Sequence, residues 1–241
     1  LTMQHMLPVV LFEPEDLRLL SGSPERRRDY LDDILEQTTP GYGSLRRQYR
    51  RALAQRNRLL KQNGSKSQMF PWDVRLSELA GQIVRARVGL ANRLNNDISD
   101  LYTTLSGSKT RVTLDYQTRW LADSYETRLL KELESSLVLD KERGFTGAGP
   151  HRDDLLVLFD GRAAQETASR GEVRTAVLAL KIIELRIIED LRQTSPLLLL
   201  DDVFSELDGR RRHALTDYLA PYQTLITTTD ADTVVGHFTE S

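Results

Sequence analysis

The sequence predicts an α/β protein whose largely parallel sheet is interrupted by a long helical insertion. Three observations predict it. Beyond residue 155, short apolar runs alternate with stretches of helical spacing, the pattern of strands joined by crossover helices. One more apolar run, Leu7-Pro8-Val9-Val10-Leu11-Phe12, stands apart near the start. Between these two regions the apolar residues mostly recur at helical spacing.

The elements follow in order. The run 7–12 ends before Pro14 and reads as a buried strand. Pro24 opens a helix over 25–37 in which Tyr30, Leu31, Ile34 and Leu35 share a face, and Thr38-Thr39-Pro40-Gly41 breaks it. A helix over 44–61 places Leu45, Tyr49, Leu53 and Leu60 near one stripe and arginines on much of the rest. Asn63-Gly64-Ser65-Lys66-Ser67 is a polar tip. A longer helix over 72–105 carries Trp72, Leu76, Leu79, Ile83, Leu90, Leu94, Ile98, Leu101 and Leu105 at alternating spacing, with a gap around Arg87. Two helices joined by a short tip predict an antiparallel arm; a plain helical subdomain with a solvated charged face is the alternative. Val112, Leu114 and Tyr116 predict a strand over 108–116, and a helix follows over 124–139. The C-terminal part then reads as strand 155–159, a hairpin turn at Asp160-Gly161, helix 172–191, strand 197–200 running into Asp201, helix 208–219 and strand 224–228. The expected organisation is an α/β piece over 1–21, a helical insertion over 22–135 and a second α/β piece over 136–241.

Composition narrows the class. A chain of 241 residues with 39% hydrophobic and 28% charged residues is not wholesale disordered. The absence of cysteine excludes disulfides and thiolate metal sites and suits a reducing, cytoplasmic compartment. The four histidines are scattered without zinc-site spacing. No apolar run approaches the roughly 18 residues of a membrane span, and Leu1-Thr2-Met3-Gln4-His5 does not resemble a secretory signal. The net charge of −2 conceals a local excess: Arg46, Arg47, Arg50, Arg51, Arg56, Arg58 and Lys61 follow one another with no acid between them. Such a row can release counterions from DNA phosphates, which makes Arg46, Arg47, Arg50, Arg51, Arg58 and Lys61 candidate DNA contacts; a solvated arm face is the alternative. No reading-helix motif suggests sequence-specific readout.

Two constellations carry chemistry. In Pro196-Leu197-Leu198-Leu199-Leu200-Asp201-Asp202, four leucines predict a strand buried on both faces, with two carboxylates at its C-terminal end, where open α/β sheets bind ligands. Asp201 suits a Mg²⁺ beside nucleotide phosphates, and Asp202 suits the attacking water. Capping of the strand or its turn is the alternative. In Ser169-Arg170-Gly171-Glu172, a serine, a glycine and free backbone N–H groups open a helix and can receive an anion. The Ser169/Glu172 spacing also fits a capping box, and both uses draw on the same donors.

Order and spacing join the two. The Ser-x-Gly-Glu start lies roughly thirty residues before the acidic strand end, and Ser205-Glu206-Leu207-Asp208 follows at once. This is similar to the signature, Walker B and D-loop of ABC-type ATPases, which include SMC proteins and repair relatives. Gly147-Ala148-Gly149-Pro150-His151-Arg152-Asp153-Asp154-Leu155 resembles a segment of the RecF family. So do residues 9–17, 50–61 and Thr227-Thr228-Thr229-Asp230, in family order. The resemblance implies part of an ABC/SMC-like ATPase head with an inserted antiparallel helical arm. It implies ATP and Mg²⁺ as cofactors, Asp201 on the metal, Asp202 as the catalytic carboxylate on the water side, and Ser169, Arg170, Gly171 and Glu172 as the signature facing ATP on a partner subunit. It places Ser205 and Asp208 in the D-loop at the dimer seam. It implies a weak DNA-dependent ATPase that dimerises with ATP, binds double-stranded or junction DNA, and acts with RecO and RecR to place RecA at single-strand gaps in repair, replication restart and the SOS response.

The chain departs from the superfamily in two ways. Thr227-Thr228-Thr229 stands where ABC ATPases carry a histidine, while His213 and His237 are off position. His151 suits a hydrogen-bonded turn better than a catalytic base. No G-x-x-x-x-G-K-[ST] loop occurs, so the phosphate cradle and its lysine are absent from this sequence. With Leu1 as first residue, the expectation is an N-terminal lobe missing and no hydrolysis by this chain alone; a natural non-ATPase relative is the alternative. The competing functions are a non-enzymatic DNA-binding or docking module and another ABC/SMC-class ATPase.

Overall fold

The computed structural model describes residues 7–204 and 207–229. Its elements are β1 (Val9–Phe12), α1 (Arg18–Ser21), α2 (Pro24–Thr38), α3 (Tyr42–Lys61), α4 (Lys66–Ser106), β2 (Val112–Gln117), α5 (Tyr125–Ser135), α6 (Leu137–Arg143), β3 (Asp154–Phe159), β4 (Arg162–Ala163), α7 (Ala164–Thr167), α8 (Arg170–Arg192), β5 (Leu197–Asp201), α9 (Gly209–Leu219) and β6 (Thr224–Thr227). The α/β fold with an inserted antiparallel helix pair is the fold observed. Helix dominates, and the strands form two small sheets.

Two compact units divide the chain. An α/β unit comprises Leu1–Tyr30, Asn92–Asp115 and Leu156–Ser241; a helical unit comprises Leu31–Ala91 and Tyr116–Leu155. These limits differ from a single insertion over 22–135. The reason is that α4 is one continuous helix: its run to Ala91 belongs to the helical unit and its last turns to the α/β unit.

In the α/β unit, β5 lies between β1 and β6, parallel to both, with Val9 opposite Leu197, Phe12 opposite Leu200, and Asp201 opposite Thr227. One face of this sheet buries Val10, Phe12, Leu198 and Leu200 against Leu178, Ile182 and Leu185 of α8 and Leu215 and Leu219 of α9. Strand alternation then turns Leu11 and Leu225 to the other face, where they are 42% and 57% exposed. The second sheet has the order β2-β3-β4, and Asp160 and Gly161 both take positive φ (48° and 79°) in the β3–β4 turn, as a tight hairpin requires.

In the helical unit, α3 and α4 run antiparallel around Tyr49, Ala52, Leu76, Leu79, Ala80 and Ile83, and α5 adds Tyr125, Leu129 and Leu133. The gap in the apolar seam has an ionic explanation. Arg87 is buried and donates to Asp32 from Nε (2.8 Å) and Nη2 (2.9 Å), and to the Pro150 carbonyl from Nη1 (2.8 Å). The single helix expected over 124–139 is instead two, α5 and α6, with a break at Ser136 (ψ 3°). Beyond the break Asp140 is buried and accepts from Arg56 Nη1 at 2.7 Å, a contact local spacing does not encode.

Candidate functional site

The apolar β5 delivers Asp201 to an exposed strand end and Asp202 to the turn that follows. Asp202 has φ +49°, a left-handed conformation that aspartate tolerates better than most residues. Two threonines hold the pair, Thr227 at the end of β6 and Thr229 just beyond it. The Thr227 hydroxyl donates to Asp201 Oδ1, and the Asp202 N–H donates to the Thr227 carbonyl at 3.1 Å. Thr229 approaches Asp202 Oδ1 through its hydroxyl (3.4 Å) and its N–H (3.5 Å). Buried Val203, Phe204 and Leu207 anchor the turn. Arg212 Nε donates to the carbonyls of Phe204 and Leu207, both at 2.8 Å. Ser205 lies outside the described residues. Asp208 caps α9, its Oδ1 accepting from the Arg211 N–H at 3.0 Å. Two carboxylates on one turn suit Mg²⁺, which takes one or two carboxylates and completes its shell with phosphate oxygens and water.

The N-terminus of α8 is a reciprocal cap. Ser169 Oγ accepts from the Glu172 N–H (3.3 Å), and a Glu172 carboxylate oxygen accepts from the Ser169 N–H (2.8 Å). Ser169 and Arg170 are exposed, and Gly171 and Glu172 are half-buried. The structure ties this segment to the α9 turn through Arg211. Its Nε donates to Thr175 Oγ1 (2.7 Å), its Nη2 to the Gly171 carbonyl (3.1 Å), and its Nη1 pairs with Asp208. Glu13 follows β1 at the register position beside Asp201. Burial first, then Asp16 and Glu15, with a smaller contribution from Asp201, raise its carboxyl above the ordinary range, while Lys181 opposes them. Neither Arg211 nor Glu13 is flagged by motif. Two signals were available: a cation in the first turn of α9, and an acid ending a strand parallel to β5.

The basic row on α3 divides. Arg47, Arg50, Arg51, Arg58 and Lys61 are exposed. Arg46 is mostly covered and pairs with Asp32 (2.9 Å) and Glu36 (3.1 Å), so it is not a solvated cation of the row. Arg56 is wholly buried.

Known proteins share this architecture. The DNA replication and repair protein RecF of Halothermothrix orenii is 39% identical over 238 residues, covering 93% of this chain and 63% of that protein. That of Microcystis aeruginosa is 35% identical over 252 residues, covering 98% of this chain and 67% of that protein. The chain belongs to the RecF family. The solved structure of the recombination mediator protein RecF-ATP in the RecFOR pathway matches with a TM-score of 0.86 and 31% identity, over 96% of this chain and 64% of that one. Its RecF-ATPrS counterpart matches at 0.84. No protein-family profile matches the chain. This RecF-family chain spans 61 to 67% of the length of the curated relatives it matches.

The Gly147–Leu155 segment of this RecF-family chain is held in the helical unit by His151. Its Nε2 lies 3.1 Å from the Thr146 carbonyl and so carries the proton, leaving Nδ1 to accept from the Tyr49 hydroxyl at 2.6 Å. Gly149 has φ +134°, and a Cβ there would stand 2.7 Å from the Tyr49 oxygen, so both backbone and space require glycine. Among the described residues, no helix is long and apolar enough to cross a membrane, and no group of three or more His, Cys, Asp or Glu is placed to hold a metal.

Proposed function

We propose that this chain supplies most of a RecF-type, ATP-dependent DNA-repair ATPase, in which ATP is sandwiched between two copies. One observation carries the reading. The carboxylates Asp201 and Asp202 end the central parallel strand, and the turn after them is joined by Arg211 to the capped start of α8. Asp201 would hold Mg²⁺ with phosphate and water oxygens, and the ion would neutralise charge on the phosphates. Asp202, steadied by Thr229, orients the attacking water and accepts its proton. Ser169, Arg170, Gly171 and Glu172 present helix N-terminal donors to the γ-phosphate of ATP held by the partner copy. Asp208, with Ser205, belongs to the turn at the seam.

The exposed cations of α3 are the DNA surface in this reading, binding phosphates without reading bases. The RecFOR pathway named for the neighbouring structures suggests RecR and RecO as partners, and the family resemblance alone adds RecA as the protein placed on gapped DNA. The 241 residues contain no phosphate-binding loop, so no ATP turnover is expected from them alone.

The test uses the full-length protein. Asp202→Asn is expected to lower turnover by about 100-fold or more while ATP binding persists. Wild-type turnover in that variant would refute the assignment. Replacing Arg47, Arg50 and Arg51 by Glu should weaken DNA binding and flatten its salt dependence. An unchanged affinity and slope would remove α3 as the DNA surface.

A further inference from the structure

We propose that Arg211 is a positioning residue that couples the turn after the acidic pair to the start of α8, so that the two segments meeting the partner copy move as one. The inference rests on the ATP-site reading above.

Arg211 is the middle of three consecutive arginines, Arg210, Arg211 and Arg212, and its contacts rather than its place in the sequence set it apart. It lies in the first turn of α9, which contains no acid. A cation there opposes the helix macrodipole, so local helix energetics disfavour it. Its position is explained by what it reaches. Asp208 already caps α9 through the Arg211 backbone N–H at 3.0 Å, which needs no arginine side chain. The guanidinium adds a second bond to Asp208 through Nη1 and spends its other donors on α8: Nε on Thr175 Oγ1 at 2.7 Å and Nη2 on the Gly171 carbonyl at 3.1 Å. Thr175 is itself buried and donates to that carbonyl at 2.9 Å, closing the loop. One planar fork thus spans two elements 36 to 40 residues apart in sequence. Arg212 completes the frame by holding the Phe204 and Leu207 carbonyls. A pull on Asp208 therefore reaches Gly171 through a rigid group. Lysine, with one ammonium on a flexible stem, cannot reproduce that geometry.

The experiment compares Arg211→Gln, Arg211→Lys and Thr175→Val with wild type in the full-length protein. Arg93→Gln, which breaks the Arg93–Asp190 surface pair, is the control and should behave as wild type. Arg211→Gln should lower kcat at saturating ATP about tenfold, leave KM for ATP within about twofold, and raise the protein concentration needed for ATP-dependent dimerisation. Arg211→Lys should rescue little. Thr175→Val should move kcat the same way, and the double variant should be no worse than Arg211→Gln, since both remove one linkage. Wild-type kcat and dimerisation in Arg211→Gln, or additive losses in the double variant, would overturn the coupling. Should Arg211→Gln fail to fold, Thr175→Val decides by the same criteria. A wild-type protein that neither hydrolyses ATP nor dimerises with it would sink the parent reading instead. Hydrogen exchange then decides the link: Arg211→Gln must speed amide exchange over 171–178 by about tenfold, or the coupling is absent.

Discussion

Arg56 and Arg58 sit two positions apart on α3 and have opposite environments. Arg58 is exposed, whereas Arg56 is fully buried and gives its donors to Asp73 (2.6 Å), Asp140 (2.7 Å), Thr146 Oγ1 (2.9 Å) and the Leu133 carbonyl (3.1 Å). Removing Arg56 leaves two buried acids without their cation, so Arg56→Met should cost about 3–5 kcal/mol in urea unfolding, against about 0.5 kcal/mol or less for Arg58→Met. Equal losses would contradict the assignment of Arg56 to the core. Nothing in the run of basic residues distinguishes these two; the acids that bury Arg56 come from α4 and α6. Glu13 offers a test against pH. Its carboxyl is held above the ordinary 4.5, chiefly by burial and then by Asp16 and Glu15. The folded state therefore binds that proton more tightly than the unfolded chain. The stabilisation is fully present below 4.5 and is lost as pH rises through the folded value. Glu13→Gln should be more resistant to urea than wild type at neutral pH, and the two should converge in acid. Parallel curves across that range would show that Glu13 feels no such environment.

At the scale of elements, α8 shows how much a local rule can settle. The three-residue spacing of Ser169 and Glu172 predicts a capping box, and both reciprocal bonds are present. Ser169→Ala should cost about 1 kcal/mol of stability, and Ser169→Asn or Ser169→Asp much less. If Ala and Asn variants unfold alike, the cap contributes nothing measurable. The four-leucine strand was readable as a central parallel strand, but its expected burial on both faces is met on one only: Leu198 and Leu200 are buried, whereas Leu197 and Leu199 on the other face are half-buried. The break between α5 and α6 was not readable. The apolar spacing continues through it, and the buried Arg56–Asp140 pair lies on the far side. Arg87 is similar: a gap in the α4 seam appears as a defect until Asp32 is seen to fill it.

At the scale of the molecule, one face of the β1-β5-β6 sheet stands out. Leu11 and Leu225 lie on it at 42% and 57% exposure, flanking half-buried Leu199. Parallel sheets are normally covered on both sides. The 241-residue chain by itself should therefore bind a hydrophobic dye and self-associate, and Leu11→Lys with Leu225→Lys should suppress both. Undiminished dye binding in the double variant would place the exposed apolar surface elsewhere.

The sequence by itself determined the fold class, the order of the longer helices and the strands of the parallel sheet, the acidic strand end and the capped helix start. Each depends on residues within a few positions of one another, where periodicity and capping act directly. The tertiary structure alone decided which arginines of α3 meet solvent, which threonines hold Asp201 and Asp202, and that Arg211 joins Asp208 to Gly171. Those partners lie tens of residues apart, and only burial and hydrogen-bond geometry choose between a charge left in water and one enclosed by its counter-ions.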